Sequence, residues 1–144
     1  MKMPQKPQPL NTYLDQTFTC SCGKEHYAPL KVVRIGPSAL NDLPRIAREQ
    51  GFQSLYLVSD ATTYQIAGKR CLELLEAAGA KAKLIQLTHT GFDEATLGEL
   101  VIHMPADCDL VVAVGTGAIN DMVRFFSFKM GRPFFTVATA APMD

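Results

Sequence analysis

The segment VGTGAIND (114–121) holds the residues with the clearest chemical use. Gly115 closes an apolar run, Gly117 follows two residues later, and a helical pattern opens at once. Glycines at such a junction let the backbone come close to a ligand and leave amide groups turned outward. The start of the helix adds partial positive charge, so the whole suits an anion such as a pyrophosphate. A plain tight turn has the same spacing, and that reading stands beside the first. The ordinary dinucleotide fingerprint is not met. Asn120 takes the third glycine position, the motif follows the fourth strand rather than the first, and no acid lies about 20 residues on. The second candidate is Asp60, at the end of the run SLYLVSD (54–60). Its carboxylate can accept hydrogen bonds from a ribose, or it can cap a helix starting near Thr62.

A third group lies near the amino terminus, where Cys20, Cys22 and His26 offer three side chains of zinc-ligand type. A closed structural zinc site takes four ligands at more regular spacing. The plainer reading is a small edge ribbon with packed thiols. Cys71 and Cys108 sit in apolar surroundings and read as reduced, buried thiols. His89 and His103 read as surface or helix-end histidines.

The elements that must position these residues follow from periodicity. Residues 1–16, rich in proline at the start, read as a mobile leader. Residues 17–28 read as two short strands around a Cys-Gly turn. Strands are expected at 31–35, 54–60, 81–88, 109–115 and 133–139. Helices are expected between them: from Pro44 to Gln50, over 62–78, from the Asp93 cap to about His103, and along a stripe of Ile119, Met122, Val123, Phe126 and Met130. Apolar strands alternating with helices predict an α/β fold, a Rossmann-like doubly wound and mainly parallel sheet with the hairpin as an N-terminal extension. Residues 17–144 form the domain. Ligands bind such sheets outside the carboxyl ends of the strands, here at Gly36, Asp60, 88–91, 115–121 and 139–144.

Composition narrows the partners. The 144 residues carry 14 basic and 14 acidic side chains, with 47% hydrophobic and 19% charged residues. That balance gives no field for nucleic acid or an anionic membrane. No signal-peptide pattern and no run of about 18 apolar residues is present, so a cytoplasmic protein is expected.

The chain from about residue 17 to its end resembles the glycerol-1-phosphate dehydrogenase family, within the superfamily of glycerol dehydrogenase, 3-dehydroquinate synthase and the iron-containing alcohol dehydrogenases. The resemblance rests on Gly115, Gly117, Ile119, Asn120, Asp121, Gly131, Pro133, Thr139, Ala140, Met143 and Asp144, and on LVSDATTYQIAG (57–68). It implies that Gly115, Thr116, Gly117 and Asp121 hold the pyrophosphate and nicotinamide side of NAD or NADP. Asp60 would meet the adenosine ribose, Thr88 and Thr139 would line the adenine side, and Asp144 would face the nicotinamide and a polyol phosphate substrate. The reaction implied is hydride transfer between NAD(P)H and dihydroxyacetone phosphate. Three positions depart from the family pattern: Ala118 for threonine, Pro142 for serine and Arg124 for lysine.

Family members continue as a helical domain whose aspartate and two histidines bind zinc or a related metal, a Lewis acid for the substrate oxygen. None of these ligands is matched here by His26, His89 or His103. The expectation is a nucleotide-binding half, inactive alone, with self-association through the apolar run 134–141. Two other readings stand beside it: a non-catalytic nucleotide- or partner-binding module, and a fragment of a 3-dehydroquinate synthase or glycerol dehydrogenase relative.

Overall fold

The structure is a computed structural model that describes residues 9–89 and 91–141. Contacts divide the chain into two units, Met1–Ala39 and Leu40–Asp144.

In the first unit a 3₁₀ turn at Leu10–Tyr13 leads into β1 (Gln16–Thr19), which pairs antiparallel with β2 (Glu25–Ala28). Of the expected leader, residues 1–8 lie outside the described residues. The hairpin turn closes through Cys20 N–H to the Lys24 carbonyl (2.9 Å) and Gly23 N–H to the Cys20 carbonyl (3.0 Å). Gly23 takes φ +80° there, a conformation that side chains disfavour. The expected strand at 31–35 does not form. A strand needs a neighbour to accept its amides, and no described strand pairs with this segment, whose Ile35 is exposed.

The second unit is a four-stranded sheet in the order β4-β3-β5-β6 with every pairing parallel. Its strands are β3 (Ser54–Ser59), β4 (Lys81–Gln86), β5 (Leu110–Val114) and β6 (Phe134–Val137). The sheet thus has four of the five expected strands, lacking 31–35, while the α/β, Rossmann-like class and the separate hairpin hold. The central strands β3 and β5 are buried at every residue because helices cover both faces. On one face Leu55, Leu57, Val112 and Val114 pack against Leu43 and Ala47 of α1 (Leu43–Glu49) and Cys71 and Leu75 of α3 (Lys69–Ala77). On the other, Tyr56, Val58, Val111 and Ala113 meet Leu100 of α4 (Glu94–His103) and Ile119, Met122, Val123 and Phe126 of α5 (Ala118–Met130).

The expected helix over 62–78 is broken into three. The short α2 (Ala61–Thr63) passes into a π-helical turn at Tyr64–Gly68 and then into α3. Gly68 makes this possible, since a Cβ there would stand 3.0 Å from the Tyr64 ring. The α5 stripe also differs by one residue. Met130 is exposed, and Ser127 is buried in its stead. Cys71 and Cys108 are buried as expected, one in each core layer, and burial pushes both thiols up to about 11.

Candidate functional site

The chain leaves β3 toward β4 on one side and leaves β5 toward β6 on the other. Because β3 and β5 are neighbours, the strand order reverses between them. In an open α/β sheet that switch point opens the crevice where ligands bind. Asp60 follows β3 directly, and Gly115, Thr116 and Gly117 follow β5 directly. The topology therefore brings the two strongest sequence candidates to neighbouring strand ends.

The glycine turn has a clear physical logic. Gly115 donates its amide to the Val137 carbonyl at 3.0 Å and has φ +153°. A Cβ on Gly115 would come within 2.9 Å of the Ile119 side chain, so the close packing of α5 on β5 requires glycine. Gly117 is the N-cap of α5 at φ 55°, ψ −123°, with no side chain capping the helix. The first helical bond is Asp121 N–H to the Gly117 carbonyl at 2.9 Å. The amides of Ala118, Ile119 and Asn120 have no helical partner, and the space beside Gly117 is open. An uncapped helix start whose first three amides have no partner among the described residues is suited to an anion. Asp121 is exposed in the first turn, where its charge also complements the helix dipole.

Asp60 performs the capping role. Its Oδ1 accepts from the Thr63 amide (2.7 Å) and hydroxyl (3.1 Å), while its own amide donates to Thr63 Oγ1 (3.1 Å). This reciprocal box commits one carboxylate oxygen and leaves Oδ2 for a further donor. Capping and ribose binding are thus compatible. The pattern Asp60, Thr63, Tyr64, Gly68 now has a reason: a cap, its partner, and a ring seated on a glycine.

Thr88 and Thr139 stand two residues beyond β4 and β6, on opposite edges of the sheet. Three strand spacings separate those edges, about 14 Å. Thr88 is already engaged: its amide donates to Glu99 Oε1 (3.0 Å) and its hydroxyl to Glu99 Oε2 (3.1 Å). Burial alone would raise the Glu99 pKa, but these bonds and His89 outweigh it and hold the carboxyl below its usual range. Asp144 and Pro142 lie outside the described residues.

Three residues were not singled out from the sequence for a site role. Ser59 is fully buried at the end of β3, and its hydroxyl finds no partner among the described residues. Asn120 accepts from Thr136 Oγ1 at 2.8 Å, which fixes its amide at the start of α5. Glu99 orders the loop after β4. Asn120 lies in the 114–121 motif, but its bond to Thr136 is not visible there; no local pattern marks Ser59 or Glu99, which act through burial or a partner distant in sequence. The shallow surface grooves, lined by Tyr56, Ile85 and His103 and by Met104, Phe126 and Arg132, include none of the residues of this site.

In the hairpin, Cys20, Cys22 and His26 present ligand atoms all within 4.8 Å of one another. Their thiols are not packed as the plainer reading expected: Cys22 is exposed and Cys20 half-buried. The Cys22 backbone amide, then its thiol, hold the Cys20 thiol below its ordinary pKa.

The sequence profile of the family described as iron-containing alcohol dehydrogenase matches residues 34–144. Among curated relatives, glycerol-1-phosphate dehydrogenase [NAD(P)+] of Halalkalibacterium halodurans is 36% identical over 131 residues, covering 87% of this chain and 33% of the relative. Its namesake in Bacillus licheniformis is 36% identical over 143 residues, covering 94% and 35%. The chain therefore spans about a third of the length of these relatives. Among solved structures, glycerol dehydrogenase from Schizosaccharomyces pombe superposes with TM-score 0.60 at 17% identity, over 69% of this chain and 25% of that one. Alcohol dehydrogenase from Oenococcus oeni gives 0.63 at 16%, over 73% and 33%. At such identities these two likenesses bear on the fold alone.

Proposed function

The chain belongs to the iron-containing alcohol dehydrogenase family, and from that premise we propose that its sheet is the NAD(P)-binding part of a glycerol-1-phosphate-dehydrogenase-like oxidoreductase. The overall reaction of such an enzyme is hydride transfer between NAD(P)H and dihydroxyacetone phosphate. The observation that carries the reading is the uncapped start of α5 behind Gly115 and Gly117, beside Asp60 across the switch point. The free amides of Ala118, Ile119 and Asn120 receive the pyrophosphate, and Gly117 admits it without a Cβ in the way. Asp60 Oδ2 accepts from a ribose hydroxyl while Oδ1 keeps the cap. Thr116 contributes a hydroxyl beside the pyrophosphate. Asp121 closes the nicotinamide side, and Thr88 and Thr139 bound the crevice from the outer strands. Asp144 follows Thr139 closely in the chain and is assigned the substrate side.

The nicotinamide, when bound, supplies or accepts the hydride; the residues above bind and orient it. The family's metal set of one aspartate and two histidines has no counterpart among the described residues, where the single metal-capable group is Cys20, Cys22 and His26. No Lewis-acid step is assigned to this chain, and by itself it is expected to bind nucleotide without turnover.

Titration of the chain with NADH and with NADPH, followed by nucleotide fluorescence or calorimetry, tests the reading. Saturable binding is expected, weakened by Gly117→Asp, which places a carboxylate at the phosphate position. Absence of binding up to millimolar nucleotide would favour a non-catalytic, partner-binding module.

A further inference from the structure

We propose that Cys20, Cys22 and His26 form a zinc site at the tip of the hairpin, one that ties the hairpin together. Three independent features converge on it. The first is the ligand set. Two sulfurs and one imidazole nitrogen lie within 4.8 Å of one another, and Cys22 Sγ and His26 Nε2 are 3.1 Å apart. Around a tetrahedral zinc with Zn–S of about 2.3 Å and Zn–N of about 2.0 Å, such atoms stand roughly 3.5–3.8 Å apart. Side-chain rotation alone closes the difference.

The second feature is preorganisation. Cys20 follows β1 directly and His26 lies on β2, while Cys22 sits in the turn that Gly23 closes at φ +80°. His26 stands opposite Phe18 in the ladder, and their rings stack at 5.8 Å with 28° between planes. That contact orients the imidazole so that Nε2 faces the thiols, as second-shell partners do in metal sites.

The third feature is the small amount of surface the hairpin strands bury among the described residues. β1 is exposed at all four of its residues, and Phe18 and Tyr27 remain 46% and 58% exposed. A lone pair of four-residue strands is marginal in water. A metal joining the turn residues Cys20 and Cys22 to His26 on β2 adds stabilising free energy, as it does in other small metal-dependent folds.

On binding, Cys20 and Cys22 each release a proton to solvent and coordinate as thiolates, and His26 coordinates through Nε2. Two thiolates neutralise the divalent charge, and water fills the fourth position. These ligands all belong to the first unit, and the reading of nucleotide binding above does not use them.

The test uses the reduced 144-residue chain under anaerobic conditions, with cobalt(II) as a spectroscopic probe and zinc(II) in competition against a chromophoric chelator. One equivalent of cobalt should give thiolate charge-transfer absorption and intense tetrahedral visible bands, both displaced by zinc. Cys20→Ser, Cys22→Ser and His26→Gln should each weaken binding at least about 100-fold, beyond the usual effect of losing a second-shell partner. Lys24→Gln, in the same turn, should leave binding unchanged. Zinc should also slow amide exchange across residues 16–28 while leaving the sheet unaffected. The proposal is overturned by octahedral cobalt spectra, by equal binding in the three ligand variants, or by unchanged hairpin exchange. It is likewise overturned if the protein isolated without reductant has an intact mass short by two hydrogens and a Cys20–Cys22 disulfide, with no metal uptake after reduction.

Discussion

Gly115 and Gly117 look interchangeable in the sequence, yet the structure gives them different work. Gly115 is enclosed, and a Cβ there meets Ile119 at 2.9 Å. Gly115→Ala should destabilise the fold by about 2–4 kcal/mol, the sum of backbone strain and overpacking, read as a lower denaturant midpoint. Gly117 faces open space at φ 55°. Gly117→Ala should cost about 1–3 kcal/mol of strain only, while nucleotide binding falls further because the Cβ stands in the phosphate path. Glu99 permits a pH test. Its carboxyl titrates below the usual range, so its anion stabilises the fold above the unfolded pKa, and that contribution is lost as pH falls through the folded value. Stability measured from pH 7 downward should therefore drop below about pH 4. Glu99→Ala should lose about 1–3 kcal/mol at neutral pH and show a shallower acid dependence. Equal slopes in both proteins would refute this. Ser59→Ala removes a buried hydroxyl with no partner among the described residues. Stability should hold or rise slightly, and any weakening of nucleotide binding would place that hydroxyl against the ligand.

At the scale of elements, the helix caps separate structure from function. Asp60 and Asp93 cap in the same way, each accepting from the amide three residues on, at 2.7 and 2.9 Å. Asp93→Ala should cost about 1 kcal/mol and nothing else. Asp60→Asn keeps a good cap and removes the charge, so thermal stability should stay constant while nucleotide affinity falls roughly tenfold, about 1.4 kcal/mol. Affinity equal to that of the unaltered chain would leave Asp60 as a cap alone. The elements also show what the sequence made legible. Apolar runs marked β3 and β5 because both are buried on two faces, and Asp93 marked a real helix start. The run at 31–35 is also rich in β-branched residues, but no described strand pairs with it, and pairing is not a local property. The break at Tyr64–Gly68 was hidden because the apolar stripe continues across it. The Thr88–Glu99 latch joins residues 11 apart across a turn, outside any short motif.

At the scale of the whole molecule, the two edges of the sheet are unlike. β4 carries Lys81 and Lys83, and charge on an edge strand discourages pairing with another chain. β6, FFTV, carries none, and its outer side has no strand partner among the described residues. The apolar run 134–141 continues beyond it with Ala138, Ala140 and Ala141 exposed. The helical layer adds Ile102 at 79% exposure and Phe128 at 81%. Surfaces of this kind are costly in water and are covered in most soluble proteins. The chain should therefore self-associate as concentration rises, through the β6 edge. Sedimentation velocity over a concentration series gives the check. Ala138→Lys, which puts a charge beside that edge without touching the core, should shift the distribution toward monomer. Phe128→Glu, on the helical face, should have the smaller effect. A chain that stays monomeric throughout would show that the uncharged edge is protected by its own short length, four residues. Equal shifts from both substitutions would move the interface from strand pairing to the joint apolar surface of α5 and β6.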